Sequence, residues 1–489
     1  MPKSRYKNTI ELTVQAADRG TEIFVVDSGL RRIASDVGAL KQAVSPGIYK
    51  IRFRSGQSQI DKLIEVKPDV DSMKVEGPSV QFSSAAPIEQ TSTNREYHKN
   101  AACELSLSPA RERPGRGSGL FVFVRDLLPN AVSEPWEGLS IHQIDGKFVA
   151  KLSDGVCNAK KQYGGLNLEV DPGIYRIRVD TGQIGTFEMF AVTAAGWQTQ
   201  YFAMTDDFPA AEAQVRRASL RSSTIMMAPQ GTGYNPLSEY NRLAEIFRIA
   251  LQSGRNVLTA NEMIRLLKEK CENPMLLIFG AHLLVRLRPI NHPLLNEVIR
   301  NLEQRFAFHP DVKSLLLRPG AGTPAPDLAF PEPPMLRSSW DLIVRGSRRR
   351  MRLVPPGSVA DSVADGLLTT TPWLLHRLDD TDQDHPRAAS LSEVRQSLEK
   401  LVEMGEGKTT PKTRDGTLGD IEQLNPLEQK LLNATVLRPT FFREAGKKDA
   451  KSGLSPSVSQ VLREIDAPYY AIARSVVSLV KKLGIDFEK

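Results

Sequence analysis

Hydrophobic and polar residues alternate one by one through much of the first 205 residues, whereas after residue 235 apolar residues recur every three or four positions. A period of two is typical of a β-strand with one buried face, and a period near 3.6 is typical of an amphipathic helix. The pattern therefore predicts a β-rich first part and a largely helical remainder.

One strand-like segment occurs twice. Residues 46–57 read PGIYKIRFRSGQ, and residues 172–183 read PGIYRIRVDTGQ. The Pro-Gly pair is typical of a turn, and the β-branched and aromatic residues after it alternate as in a half-buried strand. This alternation places Tyr49 and Tyr175 on the core side of their strands. We therefore predict that the chain carries the same β-rich module twice.

Further alternating runs flank both segments. They predict strands at residues 22–27, 60–66, 120–125, 148–152 and 186–193. Short strands punctuated by turn residues indicate a β-sandwich. A Pro-Gly turn followed by tyrosine in an alternating strand resembles the transthyretin-like sandwiches of the carboxypeptidase-regulatory and PEGA types. The resemblance implies the sandwich fold and a structural or surface-binding role, without catalytic residues.

Four helices with short connections are predicted between residues 235 and 318. Signals for a helix start are Asn235-Pro236, Thr259 with Glu262, Asn273-Pro274 and His292-Pro293. Short connections between amphipathic helices predict an antiparallel bundle. Later helical patterns cover residues 336–346, 358–368, 391–404, 426–437, 456–465 and 468–483.

The predicted fold class is α+β and multidomain, with two β-sandwich-like modules followed by a helical bundle and a helical C-terminal region. Stretches rich in Ser, Pro, Gly and charged residues predict the linkers, and few core contacts should cross residues 206–232. The predicted divisions are module 1 (residues 1–82), a linker (83–119), module 2 (120–205), a linker (206–234), the bundle (235–318), a proline-rich linker (319–335), a helical segment (336–404), a flexible segment (405–425) and the C-terminal helices (426–489).

Composition limits the classes of function. The chain has 489 residues, with 64 basic and 57 acidic side chains, and a formal charge of +7 is a small excess at this length. The cysteines, Cys103, Cys157 and Cys271, are too far apart for a metal motif or a disulfide framework. No apolar run near the start has signal-peptide length, and residues 274–285 are fewer than the roughly 20 that span a bilayer. We therefore predict a cytoplasmic protein without a membrane span.

No catalytic, cofactor-binding or metal-binding residues are predicted. Residues 405–409 read GEGKT, which matches the end of a phosphate-binding loop, but Val402 stands where that motif requires glycine. The seven histidines include no pair at helical ligand spacing and no neighbouring cysteine. A Ser-His-Asp or Cys-His site assembled from distant residues stays open, since no local signature marks a nucleophile. We therefore expect a protein that is not an enzyme.

Three hypotheses for function follow from these patterns. The preferred one is a non-enzymatic intracellular adaptor or scaffold that binds other proteins through the duplicated β modules and a helical platform. The alternative is a nucleic-acid-binding protein, whose phosphate contacts would come from Arg345, Arg348, Arg349, Arg350 and Arg352. Cations at a helix end also favour the helix dipole, which gives this basic cluster a purely structural explanation. A third hypothesis is an accessory subunit of a bacterial-type enzyme or defence complex.

Overall fold

A computed structural model of the chain describes residues 9–107, 117–128, 134–182, 185–209, 214–255, 257, 259–268, 273–287, 289–322, 327–347, 353–355, 358–363, 367–368 and 372–378. Strands and helices both occur there, so the predicted mixed α+β class is confirmed. The strands are β1 (Ile10–Gln15), β2 (Glu22–Val26), β3 (Arg32–Val37), β4 (Ala39–Val44), β5 (Gly47–Ser55), β6 (Ser58–Val66), β7 (Ser72–Glu76), β8 (Ser118–Arg125), β9 (Leu139–Gln143), β10 (Phe148–Lys151), β11 (Val156–Asn158), β12 (Tyr163–Val170), β13 (Gly173–Asp180), β14 (Thr186–Thr193), β15 (Trp197–Pro209), β16 (Gln214–Ala218), β17 (Thr224–Pro229) and β18 (Leu375–Arg377). The helices are α1 (Glu96–Leu107), α2 (Glu239–Ser253), α3 (Ala260–Lys268), α4 (Pro274–Arg286), α5 (His292–Phe306), α6 (Pro310–Ser314), α7 (Arg337–Ser347) and α8 (Val359–Val363).

Strands β1 to β7 form the first β unit. They make two sheets, ordered β4-β1-β7 and β3-β2-β5-β6. Alternate apolar side chains of both sheets form one core, in which Leu12, Ile51 and Phe53 are fully buried. Polar side chains occupy most of the intervening positions, as expected for strands with one buried face. The first β unit therefore has a hydrophobic core of its own.

Strands β8 to β17, together with β18, form the second β unit. One sheet is ordered β11-β12-β8-β15-β16, with β17 also paired to β15, and the other is ordered β10-β9-β13-β14-β18. Apolar side chains of these strands, such as Leu168 and Ile177, belong to the same core as Phe247 of α2 and Phe279 of α4. The second β unit and the helices thus share one continuous core.

The two β units pair their strands in the same way. Strand β1 lies between antiparallel β4 and parallel β7, and β8 lies between antiparallel β12 and parallel β15. Likewise, β5 lies between β2 and β6, and β13 lies between β9 and β14. The prediction that both Pro-Gly-Ile-Tyr segments form strands is confirmed. Both tyrosines are buried, and each hydroxyl donates to a carbonyl four residues earlier, from Tyr49 to Ser45 at 2.8 Å and from Tyr175 to Asp171 at 3.0 Å.

Residues 83–119 are not simply the linker that composition predicts, because they contain α1. This helix packs on the face of β8 and β12 that points away from the other sheet, where Ala101 and Ala102 are buried in one cluster with Phe121 and Phe123. His98 is buried there too, with its ring 6.0 Å from that of Tyr163 between centroids. The fully buried Arg125 of β8 donates to the carbonyls of Ser84, Ala85 and Thr93. The Ser- and Thr-rich composition instead supplies side-chain hydrogen bonds inside the fold, since Thr93 Oγ1 accepts from Ser84 N and donates to Ser84 O.

Residues 206–234 also differ from the predicted linker, since they include the end of β15 and all of β16 and β17. Positions 224–227 of β17 are fully buried, and this strand packs against α2 and α4. Thr224 donates to the buried carboxylate of Glu245, which Arg248 holds from one turn away. The expectation that few core contacts cross this stretch is therefore wrong, because the short apolar run Ile-Met-Met outweighs its polar surroundings.

Helix starts follow the predicted signals closely. The side chains of Thr259 and Asn273 accept backbone hydrogen bonds at the starts of α3 and α4. Asn291 caps α5 with proline in the first turn, and Ser238 caps α2, three residues after the predicted Asn235. Three of the four predicted starts thus lie at or beside the predicted residues, while α2 begins later.

The proline-rich linker predicted at residues 319–335 is also partly packed. Phe330 and Met335 are buried, and α7 follows at the predicted place, whereas α8 is shorter than the predicted helix at 358–368. Strand β18 was not predicted, and it pairs with β14 across a large separation in the sequence. The helices predicted at 391–404 and 426–489 and the flexible segment at 405–425 lie outside the described residues.

Candidate functional site

The basic cluster predicted as a nucleic-acid site falls mostly outside the described residues. Arg345 is exposed in the last turn of α7, where a cation favours the helix dipole. Arg348, Arg349, Arg350 and Arg352 lie beyond the described residues. Within the described ranges, no helix is long and apolar enough to cross a bilayer, and no three metal-ligating side chains come together.

A buried polar network joins α4, α6 and α7, and the sequence did not reveal it. The carboxylate of Asp311 accepts hydrogen bonds from Met335 N at 3.0 Å, Leu336 N at 2.9 Å and Ser339 Oγ at 2.5 Å. His282 Nε2 lies 3.2 Å from Ser339 Oγ. These residue types also form catalytic triads, but the side chains of Asp311, His282 and Ser339 are all buried in the core. We interpret the network as the attachment of α7 to the helices before it.

Burial sets the protonation of this network. His309 precedes α6, and its Nδ1 accepts from Asp311 N at 3.2 Å. Desolvation raises the pKa of Asp311 to about 6, and it lowers the pKa of His282 to about 4 and that of His309 to about 3. The same cause lowers the pKa of His98, on α1, to about 4. The three histidines are therefore neutral at pH 7.

Acidification is expected to destabilise the protein below pH 6.5. Between pH 6.5 and about 4 the unfolded chain binds a proton at each of these histidines and the folded chain does not, so each one lowers the free energy of unfolding by about 1.4 kcal/mol per pH unit. Asp311 acts in the opposite direction, because its raised pKa gives stability that is present at low pH and lost as pH rises through 6. Urea unfolding of His98→Gln should therefore show a pH slope about 1.4 kcal/mol per unit shallower than that of the natural chain. Equal slopes would contradict the assignment.

A second polar cluster lies on β13, β14 and β18, on the face of the sheet opposite to the one that carries Tyr175. Glu188, fully buried, is paired with Arg176 at 3.1 Å, with Arg178, and with His376 of β18 at 3.0 Å. Although burial acts to raise it, hydrogen bonds from His376 and Arg178 hold the pKa of Glu188 below its usual value. The ring of His376 also stacks on Phe190, at 5.4 Å between centroids. Strand β18 thus covers this part of the sheet.

The first β unit carries the corresponding ion pair without a cover. Arg52 lies opposite Asp61 as Arg178 lies opposite Glu188, and its guanidinium donates to Asp61 at 2.7 and 2.9 Å. Both members of this pair are partly exposed. Strand β6 corresponds to β14, and in the described ranges β6 is an edge strand, with no strand paired to its far edge. The ion pair on this face is therefore buried beside an added strand in the second unit and partly exposed to solvent in the first.

Apolar side chains mark the open surface. Leu63 is 73% exposed and Ile48 is 60% exposed, whereas the side chains at the same register positions in the second unit, Phe190 and Ile174, are 0% and 6% exposed. Leu63 and Ile48 lie diagonally across the β5–β6 pair on one side of the sheet, and neighbouring exposed apolar side chains mark a candidate interaction surface. We define the outer face as the side of the β3-β2-β5-β6 sheet that carries Ile48, Lys50, Arg52 and Leu63. This face is the candidate functional site.

Three cations of the outer face, Lys50, Arg52 and Arg54, have carboxylate partners. Lys50 lies 3.7 Å from Asp61, which also accepts from Arg52. Arg54 makes two hydrogen bonds of 2.7 Å to Glu22, and its guanidinium lies 4.8 Å from the ring centroid of Phe24. A face with paired charges and exposed apolar side chains suits contact with a protein better than contact with a row of phosphates.

Comparisons with known proteins do not place the chain in a family. No family model matches it, and no curated protein matches it. Among solved structures, the Bacillus anthracis TIE protein is similar over 35% of this chain and 28% of that chain, with 12% sequence identity and a TM-score of 0.16. The match thus spans a little over a quarter of the length of that protein.

Proposed function

We propose that the protein is a non-enzymatic intracellular adaptor or scaffold that binds another protein through the outer face of its first β unit. The observation that carries this proposal is the contrast between Leu63 and Ile48, which are exposed, and Phe190 and Ile174, which are buried at the same positions of the second unit. The second unit covers the side chains at these positions, so the surface that the first unit leaves open there is available to a partner.

The proposal treats the two β units as duplicated β-sandwich-like modules with different tasks. Their matching strand order, the matching tyrosine hydrogen bonds and the matching pairs Arg52–Asp61 and Arg178–Glu188 support a common origin. The second module shares its core with the helices, so it supports the helical platform by direct packing. The first module keeps a separate core and an open sheet. Binding is therefore assigned to the first module.

Firm attachment of the first module to the rest of the chain also suits a scaffold. Arg242 of α2 makes two hydrogen bonds of 2.8 Å to Asp18, and Arg255, just after α2, lies 3.0 Å from Glu22. Gly20 packs so closely on Ile246 that a Cβ atom there would lie 2.9 Å from its side chain. A partner held by the outer face would thus be held in a fixed position relative to α2.

Site-specific photo-cross-linking in the native cell tests this proposal. A photoreactive residue at position 63 or 48 is expected to capture the same discrete protein. Position 237 is the matched control, because Leu237 is also 73% exposed but lies just before α2. With the captured protein purified, Leu63→Glu should weaken its binding at least about tenfold, as loss of a central apolar contact does. Equal capture at position 237, or salt-sensitive retention of nucleic acid in place of a protein, would contradict the proposal.

A further inference from the structure

We propose that the open edge of β6 accepts an extended segment of the partner protein, which pairs antiparallel to β6 and places an acidic side chain opposite Lys62 and an apolar one opposite Leu63. This inference rests on the proposed function, since it names how the partner is bound. The chemistry is that of strand addition, in which backbone hydrogen bonds give affinity and alternate side chains give specificity.

The edge of β6 has backbone groups free to pair. In an antiparallel pair, every second residue directs its N–H and C=O away from the neighbouring strand. Strand β6 pairs with β5 from Ser55↔Ser58 onward, through a two-residue turn. This register directs the backbone groups of Gln59, Asp61, Leu63 and Glu65 away from β5. Within the described ranges β6 ends its sheet, so no strand occupies that side.

The second β unit contains, within the chain, the kind of strand pairing that we propose for β6. Strand β18 pairs antiparallel with β14, with His376 opposite Glu188 and Leu375 opposite Met189. The amide of Leu378 donates to Thr186 O at 2.9 Å. Thr186 lies opposite Asp180 as Gln59 lies opposite Arg54, so the outward-pointing groups fall at equivalent positions in the two strands. The shared fold therefore accepts an added strand at this edge.

Charge selects the kind of segment. The position of the buried Met189 is taken in β6 by Lys62, which is exposed and donates to Glu76 O at 3.1 Å. Lys62 is the central residue of β6, and two β6 strands paired antiparallel about their centres would place Lys62 opposite Lys62. Like charges directly opposite each other destabilise a strand pair, and lysine on an edge strand opposes self-association. A second copy is therefore a poor occupant, and a segment with a carboxylate opposite Lys62 is a good one.

The apolar positions fix the rest of the segment. Leu63 lies on the outer face and the 39% exposed Ile60 on the opposite face, and each offers apolar surface to a side chain directly across from it. Asp61 already binds Arg52, so a neutral side chain suffices opposite it. Read from its N-terminus, the segment would carry apolar, acidic, neutral and apolar residues opposite Leu63, Lys62, Asp61 and Ile60.

A pair of synthetic peptides tests the inference on the full chain. One carries Leu-Glu-Thr-Val at its centre, and the matched control carries Leu-Lys-Thr-Val. Fluorescence anisotropy is expected to show the glutamate peptide binding at least about tenfold more tightly than the lysine peptide. The variant Lys62→Glu should reverse this preference. Binding should also slow hydrogen exchange at the amides of Asp61 and Leu63.

A backbone variant separates strand addition from side-chain contact. Leu63→Pro removes one outward N–H and is tolerated on an edge strand, so it should abolish peptide binding while the melting curve is kept. Leu63→Ala retains the N–H and should only weaken binding. Equal affinity of both peptides for the natural chain and Lys62→Glu, or unchanged exchange at Asp61 and Leu63, would overturn strand addition. If positions 63 and 48 still capture one protein in that case, the proposed function stands and only the mode of binding fails.

Discussion

Replacing Arg242 by methionine is expected to lower the free energy of unfolding by about 3 to 5 kcal/mol, because it removes one partner of a largely buried ion pair. The side chains of Arg242 and Asp18 are only 10% and 14% exposed. Arg242 also donates to the carbonyl of Gln90 at 3.1 Å, and its guanidinium lies 4.9 Å from the ring centroid of Phe82. The variant thus leaves the largely buried carboxylate of Asp18 and the carbonyl of Gln90 without this donor.

A control for this variant exists at the same junction. Arg19 and Glu239 also join the first β unit to α2, but their side chains are 47% and 54% exposed and the pair is 3.3 Å apart. Water screens such a pair, so Arg19→Met is expected to change the free energy of unfolding by about 0 to 1 kcal/mol. Urea denaturation of both variants measures the difference. Similar small losses in the two variants would show that burial at Arg242 does not matter.

The second large effect is expected at Trp373, which precedes β18. Its side chain is fully buried, lies 6.0 Å from the ring of Phe279 between centroids, and donates from Nε1 to Ser223 O at 2.8 Å. Trp373→Ala leaves a cavity in the shared core and should cost about 3 to 5 kcal/mol of stability. Because Trp373 anchors β18, hydrogen exchange at the amide of Leu378 should become faster as well.

Trp373→Phe is the matched variant, since it keeps an aromatic ring and loses the N–H. It leaves Ser223 O without this donor, and the expected cost is about 1 to 3 kcal/mol. Thermal unfolding ranks the three proteins, and exchange at Leu378 reports on the strand itself. If the alanine variant lost less stability than the phenylalanine variant, or kept slow exchange at Leu378, Trp373 would not be the anchor of β18.

Local patterns allowed the strands around Tyr49 and Tyr175 and the starts of α3, α4 and α5 to be predicted. Alternation and helix capping act over a few residues, so the sequence near each element contains the whole signal. Composition was a poorer guide to linkers. The segment around Ser84 and Thr93 is polar, but its carbonyls are the acceptors of the buried Arg125, whose position no local pattern indicates.

The candidate site could not be predicted, because it depends on a difference between two similar strands. Leu63 and Phe190 occupy equivalent register positions in β6 and β14. The residues around each of them in the sequence predict a strand in both cases. The difference in their exposure comes from β18 (residues 375–377), which pairs with β14 and stacks His376 on Phe190. Such long-range pairing leaves no periodic trace near either strand. The polar network around Asp311 was missed for the same reason, since Met335 and Leu336 lie 24 and 25 residues away from it.

The first β unit has a core of its own, whereas the core of the second also needs later parts of the chain, and this difference has a consequence during protein synthesis. The core of the first β unit is complete at Val80, so this unit can fold soon after its last strand leaves the ribosome. The shared core of the second unit includes Leu375, and at about 5 to 20 residues per second its last strand follows roughly 15 to 60 s later. Until residue 375 is made, β14 has no β18 on its edge, and until residue 286 is made the strands of the second unit also lack the cover of α2 and α4. Nascent chains longer than the first unit are therefore expected to need protection by a chaperone until β18 is made.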